Sequence, residues 1–430
     1  MTTHQTTLAR RTLTAAAVAA TAALCTLGAA LPAQAAQPAG GARPAGGARP
    51  VAAGQRLSLP VPTGRYQVGA APLHLVDRGR TDPWRPEQGA RELMATVYYP
   101  AAQAGGCREQ APYMLPGAAA HFDAVTADTF LDLGITPGTT DWAGTATHAR
   151  QDAPVAVQGG PHPVLVYSPG LGEPRTWGTA LVEQLASQGY VVVTLDSTYE
   201  APEVQFPDGR VATIVPLTEP GAFITKALEV RVADTRFLLD QLALLNGGRN
   251  PDADGRPLPA HLAGALDLDR VGMYGHSLGG TAAADAMAAD PRIKAGVDLD
   301  GNLTNFDGSP MPVAQHGLDR PFLLVGTDSP TDGDTAPGFR QFRADTPGWS
   351  RELQLQGADH ASFTDAEALV PQLGLDPATR TRDLGSLDPA VALRTERAYL
   401  TAYFDQWLRG GDSRLLDGPS AAYPAMRFVG

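Results

Sequence analysis

Gly275-His276-Ser277-Leu278-Gly279-Gly280 follows the short apolar run Val271-Gly272-Met273-Tyr274 and leads into Thr281-Ala282-Ala283-Ala284-Asp285-Ala286-Met287-Ala288. A strand, a glycine-flanked serine and a helix of small, strong helix formers appear in that order. Glycines two positions before and two after the serine suit a sharp strand-to-helix turn, where backbones approach too closely for a side chain. Such a turn lifts the serine hydroxyl above the end of a sheet. The stretch therefore reads as a nucleophile elbow, with Ser277 as the candidate nucleophile.

Working outward, the neighbouring runs fit a mostly parallel sheet with helices on both faces. Val164 to Tyr167 and Val191 to Leu195 are continuously apolar, as strands buried on both faces must be. Between them a helix runs through Leu181, Val182, Leu185 and Ala186 and closes at Gly189. Ala295 to Asp300, Phe322 to Val325 and Glu352 to Leu355 supply further strands after the elbow. Long amphipathic helices are expected over Phe223 to Leu245 and Pro389 to Leu408. The chain opens on strands at Tyr66 to Val68, Leu73 to Val76 and Met94 to Tyr99. Val204-Gln205-Phe206 and Arg210-Val211-Ala212 flank Pro207-Asp208-Gly209 as a hairpin. Residues 112–157 show no clear strand, only a helical piece around Ala124 to Leu133, and read as a lid or cap insertion. The expected organisation is a single domain over 61–430, preceded by a Pro/Gly/Ala-rich flexible leader over 36–60.

Residues 1–35 carry an export signature. Arg10-Arg11 precede an alanine-rich apolar stretch, and Ala33-Gln34-Ala35 is a small-x-small cleavage site. That segment holds two arginines and no acid, so its removal makes a chain of formal charge −12 more acidic still. The balance speaks against nucleic acid and anionic membrane surfaces as partners. Cys107 is then the sole cysteine, which excludes an intramolecular disulfide. Asp252 and Asp254 lie in an acidic turn that lacks the later ligands of a calcium loop.

A serine hydroxyl attacks a carbonyl only if a base takes its proton. In elbow-bearing folds the partners follow the serine, first the acid and then the histidine. Of nine histidines this leaves His316 and His360. His316 lies in a polar loop before a strand, whereas His360 in Gly357-Ala358-Asp359-His360-Ala361-Ser362-Phe363 follows one, at the carboxyl end where such sites assemble. His360 is the candidate base. For the acid, Asp300 at the end of its strand is slightly favoured over Asp298, while Asp328 and Asp332 follow the next strand and remain open. Backbone N–H groups of Leu278, after the serine, and Leu171, in Gly170-Leu171-Gly172, are the candidate oxyanion donors.

Four segments together, Ser-Pro-Gly-Leu-Gly (168–172), Gly-His-Ser-Leu-Gly-Gly (275–280), Val-Asp-Leu-Asp-Gly (297–301) and Gly-Ala-Asp-His-Ala-Ser-Phe (357–363), resemble the platelet-activating-factor acetylhydrolase type II family and its secreted bacterial relatives. Asp-Pro-Trp (82–84) and Arg91 to Pro100 resemble that family's opening strands, so the likeness runs from about Tyr66 to Leu408. It implies an α/β-hydrolase fold, Ser277, Asp300 and His360 as the triad, Leu171 and Leu278 as oxyanion donors, and neither metal nor organic cofactor. One departure is Pro169, where the family often has histidine. The expected activity is hydrolysis of short- to medium-chain carboxylic esters, such as phospholipid acetyl esters or glycerides. Alternatives are a triacylglycerol lipase, a polyester hydrolase, or a non-catalytic binding protein on the same scaffold. The expected partner is a small or lipid ester, with at most transient contact with a lipid interface.

Overall fold

Strands in this chain are made by short apolar runs that recur between helices. The computed structural model describes residues 54–103, 108–129, 134–328 and 335–430; the export signature, Cys107 and Asp332 lie outside them. In chain order the strands are β1 (Gln55–Ser58), β2 (Gln67–Thr81), β3 (Ala90–Ala101), β4 (Thr140–Ala146), β5 (Arg150–Gln151), β6 (His162–Ser168) and β7 (Val191–Leu195). There follow β8 (Val204–Gln205), β9 (Val211–Ala212), β10 (Leu266–His276), β11 (Ile293–Leu299), β12 (Phe322–Thr327), β13 (Ser350–Leu355) and β14 (Met426–Val429).

The main sheet has the order β14-β13-β12-β11-β10-β6-β7-β3-β2-β5. From β13 to β7 every neighbouring pair is parallel, while β14 and β3 run antiparallel to the strands they flank. Every residue of β6 and of β7 is buried, as two-sided cover requires. Side-chain alternation divides the core accordingly. Leu165 and Tyr167 point into one layer with Tyr403 and Phe404 of helix Pro389–Arg409; Val164 and Val166 point into the other, with Leu238 and Leu242 of helix Pro220–Asn246. Both long helices start with proline in the first turn, and Asp388 caps the later one by accepting from Ala390 N and Val391 N. The β8–β9 hairpin forms as the Pro-Asp-Gly turn predicts.

Three local expectations change. The opening strands at 66–68 and 73–76 are one long strand, β2, running through Pro72, which pairs in register with Thr96 of β3. Gly69 belongs inside it because a Cβ there would stand 2.3 Å from the Tyr99 ring, so the missing side chain is filled by an aromatic from the next strand. Within 112–157, where no strand was expected, β4 pairs with β1. The helical piece begins earlier, at Pro116–His121 and Phe122–Thr126, and continues through Ala127–Thr129, beyond which 130–133 lie outside the described residues; its Phe122 packs on Trp142 of β4 at 4.8 Å between centroids. Finally, the last residues of the expected leader are ordered: β1 carries buried Leu57, and Leu59 follows it into the same core.

Candidate active site

β10 ends at His276, and the chain turns directly into helix Leu278–Ala289. Ser277 sits at the turn with φ 54° and ψ −126°, a conformation that costs a non-glycine residue roughly 1–3 kcal/mol and persists only where its surroundings enforce it. They do so at short range. A Cβ on Gly279 would lie 2.0 Å from the Ser168 carbonyl oxygen, so this position admits only glycine. Ser277 N–H donates to Leu299 O at 2.8 Å, and Gly280 N–H returns to Ser277 O at 2.9 Å, stitching the turn to β11.

Asp300 follows β11 by one residue. Its N–H donates to Val325 O at 2.7 Å, and its φ of 57° turns the side chain off the strand end. One carboxylate oxygen, Oδ2, lies 2.6 Å from His360 Nδ1, and Oδ1 accepts from Thr327 N at 3.2 Å. A carboxylate only accepts, so Nδ1 carries the hydrogen and Nε2 is left as the acceptor. The Asp300 side chain is fully buried whereas that of His360 is 44% exposed, an arrangement that hides the charge and presents the ring. His360 opens a single 3-10 turn, His360–Phe363, which Asp359 caps by accepting from His360 N at 2.8 Å while its own N–H donates to Ser362 Oγ at 3.2 Å.

The competing candidates are placed elsewhere, apart from Asp332, which lies outside the described residues. Asp298 is buried beneath the elbow helix with Oδ1 on Gly301 N at 2.6 Å. Burial, reinforced by the charge of Asp300, lifts its carboxyl well above the usual carboxylate range. Asp328 accepts from Gly357 N at 2.6 Å, bracing the start of the histidine loop. His316 bonds its own turn through Pro312 O at 2.7 Å. Among the described residues no cluster of three or more His, Cys, Asp or Glu is arranged to hold a metal ion; the acidic turn uses Asp252 on Arg256 and on His74 N.

The loop after β6 is held by two charges that sequence reasoning missed, buried Arg231 and part-buried Glu173. Arg231, from helix Pro220–Asn246, donates to Ser168 Oγ at 3.2 Å, to Gly170 O at 3.1 Å and to Pro169 O. Its Nε pairs with buried Glu200 at 2.8 Å. Glu173 closes the loop from the other side, accepting from Gly170 N at 2.7 Å and meeting His276 Nδ1 at 2.8 Å. His276 Nε2 lies 2.9 Å from His360 O. The one available signal was an arginine on the buried stripe of an amphipathic helix, four residues after Ala227. With its carbonyls turned to Arg231, the loop leaves Leu171 beside Leu278 in an apolar cluster with Phe223, Leu228 and Met311, walled by Trp84 stacked on Phe223 at 4.6 Å. Leu278 is the first residue of its helix, where the amide has no intrahelical acceptor. A separate cavity of about 410 Å³ lies over β2 and β3, lined by Met94, Tyr98, Tyr113, Met114 and Phe206. None of Ser277, Asp300 or His360 lines it.

The family model for platelet-activating factor acetylhydrolase, isoform II, matches residues 51–201. A solved ferulic acid esterase from Streptomyces cinnamoneus is 33% identical, with a TM-score of 0.68, covering 87% of this chain and 100% of its own. The chain belongs to the platelet-activating factor acetylhydrolase isoform II family. It has the family's α/β-hydrolase fold, and the family is one of ester hydrolases. Among relatives, a probable 1-alkyl-2-acetylglycerophosphocholine esterase of Arthroderma benhamiae is 27% identical over 392 residues, 86% of this chain and 93% of that protein. A bis(hydroxyethyl) terephthalate hydrolase of Streptomyces coelicolor is 26% identical over 224 residues, 52% of this chain and 58% of that protein.

Proposed function

We propose that the protein is an exported serine hydrolase that cleaves short- to medium-chain carboxylic esters through an acyl-enzyme. The observation that carries this reading is the buried Asp300 carboxylate on Nδ1 of half-exposed His360, beside a strained Ser277 elbow. Ser277 Oγ attacks the ester carbonyl carbon as its proton passes to His360 Nε2. The oxyanion is held by the N–H groups of Leu278 and Leu171. Collapse breaks the bond to the alcohol, which leaves with the proton from His360; water, activated by the same nitrogen, then releases the acid and regenerates Ser277. Asp300 keeps the ring in the tautomer this requires and offsets the imidazolium charge.

The apolar cluster around Leu171 and Leu278 suits an acyl or alcohol group of modest size. Acetyl esters of phospholipids agree with the name of the Arthroderma relative. A second reading, aromatic esters including polyester fragments, is favoured by the Trp84–Phe223 wall and by the names of the two Streptomyces proteins. Export follows from the signature in residues 1–35, and amino-terminal sequencing of the protein from culture medium should begin near Ala36.

Covalent labelling by a fluorophosphonate tests the mechanism. Wild type should be labelled and Ser277→Ala should not; an unlabelled wild type, or equal labelling of both, refutes it. A panel of p-nitrophenyl acyl esters beside methyl ferulate and bis(hydroxyethyl) terephthalate then separates the two substrate readings.

A further inference from the structure

Glu173 touches two parts of the site at once. Its Oε2 fixes Gly170 N, in the loop that carries Leu171, and its Oε1 faces His276 Nδ1 at 2.8 Å. The other nitrogen of that ring faces the main-chain oxygen of His360 at 2.9 Å. A carbonyl oxygen only accepts, so His276 Nε2 carries a hydrogen. The contact between Nδ1 and Oε1 requires a hydrogen as well. Burial pushes the Glu173 carboxyl up, but the His276 charge, its hydrogen bond and the Gly170 N–H outweigh that and hold it below the usual carboxylate range. With Glu173 an acceptor toward the ring, as it is toward Gly170 N, the imidazole donates from both nitrogens, and this is the arrangement the contacts require. Its ring is almost wholly buried, with its centroid 4.5 Å from that of His360.

We propose that Glu173 and His276 are positioning residues that form one buried, charge-assisted link between the oxyanion loop and the backbone of His360. The link has a third anchor, because His276 immediately precedes Ser277 in the chain. Donor loop, nucleophile and base, carried after three different strands, thereby share a single internal reference. Neither residue touches the reacting atoms. The inference rests on the serine-hydrolase reading above for its kinetic consequence, and on the hydrogen-bond geometry alone for its spectroscopic one.

The two contributions of Glu173, shape and charge, can be separated. In Glu173→Gln the amide oxygen still accepts from Gly170 N–H and the amide nitrogen donates to a neutral Nδ1, so the link survives uncharged. In Glu173→Ala it is cut. Misplacing a catalytic group by about 1 Å costs on the order of 100-fold. With p-nitrophenyl acetate, Glu173→Ala should therefore lose roughly 10- to 100-fold in kcat with KM little changed, while Glu173→Gln stays within about tenfold of wild type. In ¹⁵N-histidine spectra at pH 7, the His276 signals, assigned by their absence from His276→Gln, should show both nitrogens protonated in wild type and Nε2 alone in Glu173→Gln. A Glu173→Ala kcat at the wild-type level, a KM rising in step with the loss, a Glu173→Gln as impaired as Glu173→Ala, or a singly protonated wild-type ring each overturns the proposal. Should Glu173→Ala not fold, the Glu173→Gln kinetics and the spectra decide alone. A wild type that neither turns over ester nor takes the fluorophosphonate refutes the serine-hydrolase reading instead, and leaves the spectra as the test of the link.

Discussion

Replacing Asp300 by asparagine changes one atom in a place where the geometry dictates the outcome. Thr327 N–H donates to Oδ1, so the asparagine must keep its carbonyl oxygen there and turn its NH₂ toward His360 Nδ1, 2.6 Å away in the native pair. The reverse orientation would set two donors against each other. Nδ1 must then become the acceptor and Nε2 the protonated nitrogen, which cannot take a proton from Ser277. Such a tautomer reversal costs about 10⁴-fold in kcat, or about 5.4 kcal/mol of transition-state stabilisation at about 1.36 kcal/mol per decade. KM should hold, because the Asp300 side chain is buried behind the His360 ring. Hydrolysis of p-nitrophenyl acetate reads the effect, with Asp328→Asn as a control that should stay near wild type. An Asp300→Asn enzyme within tenfold of wild type would refute the assignment of the acid.

Three further outcomes follow from the same geometry. Arg231→Met should destabilise the fold by about 3–5 kcal/mol in urea unfolding, since it strands buried Glu200; adding Glu200→Gln should recover stability without recovering kcat, because the Pro169 and Gly170 carbonyls still lack their donor. Gly279→Ala, whose Cβ would meet Ser168 O at 2.0 Å, should slow fluorophosphonate labelling by about 100-fold or more. Glu367 is buried, and burial outweighs the neighbouring Ser362 hydroxyl to raise its pKa to about 8. A group that holds its proton more tightly when folded stabilises fully below its unfolded pKa and loses that contribution as pH rises toward the folded value. Stability should therefore fall between about pH 5 and 8, by at most about 1.4 kcal/mol per pH unit from this group, and Glu367→Gln should flatten the urea-midpoint profile over that window.

What could be read from sequence and what could not divide along contact range. The elbow was legible because Gly275 and Gly279 lie within two residues of the serine they permit, although the contact that demands Gly279 comes from the Ser168 carbonyl of β6. Strands β6, β7 and β12 were legible because two-sided burial demands almost unbroken apolar runs, and β11 because its core-facing residues are apolar despite Lys294 and Asp298. Asp300 and His360 were reachable because chain order and strand ends limit the choice, while the residues alone left Asp328 open until the contacts placed Asp300 on His360 Nδ1 and Asp328 on Gly357 N. Arg231 and Glu173 were not, since each acts on loop atoms through partners that no periodicity marks. Strand β4, Thr-Asp-Trp-Ala-Gly-Thr-Ala, lacks a strand's composition and is held by Trp142 and by pairing with β1. The reading of β2 as two strands stops short of Gly69 and Pro72 because those residues ordinarily signal a break; the Tyr99 ring from β3 explains Gly69.

The clamp of Arg231 on the Ser168–Gly170 backbone bears on how this enzyme can be reshaped. Its ordering cost is met once, when the chain folds, so no part of it is charged to each turnover as reorganisation energy. A loop fastened in that way cannot adapt to new substrates by flexing. Variation in substrate range, whether by natural drift or by directed evolution, must then fall on the rim formed by Trp84, Phe223 and Met311, which can be recast while the chemical half stays untouched.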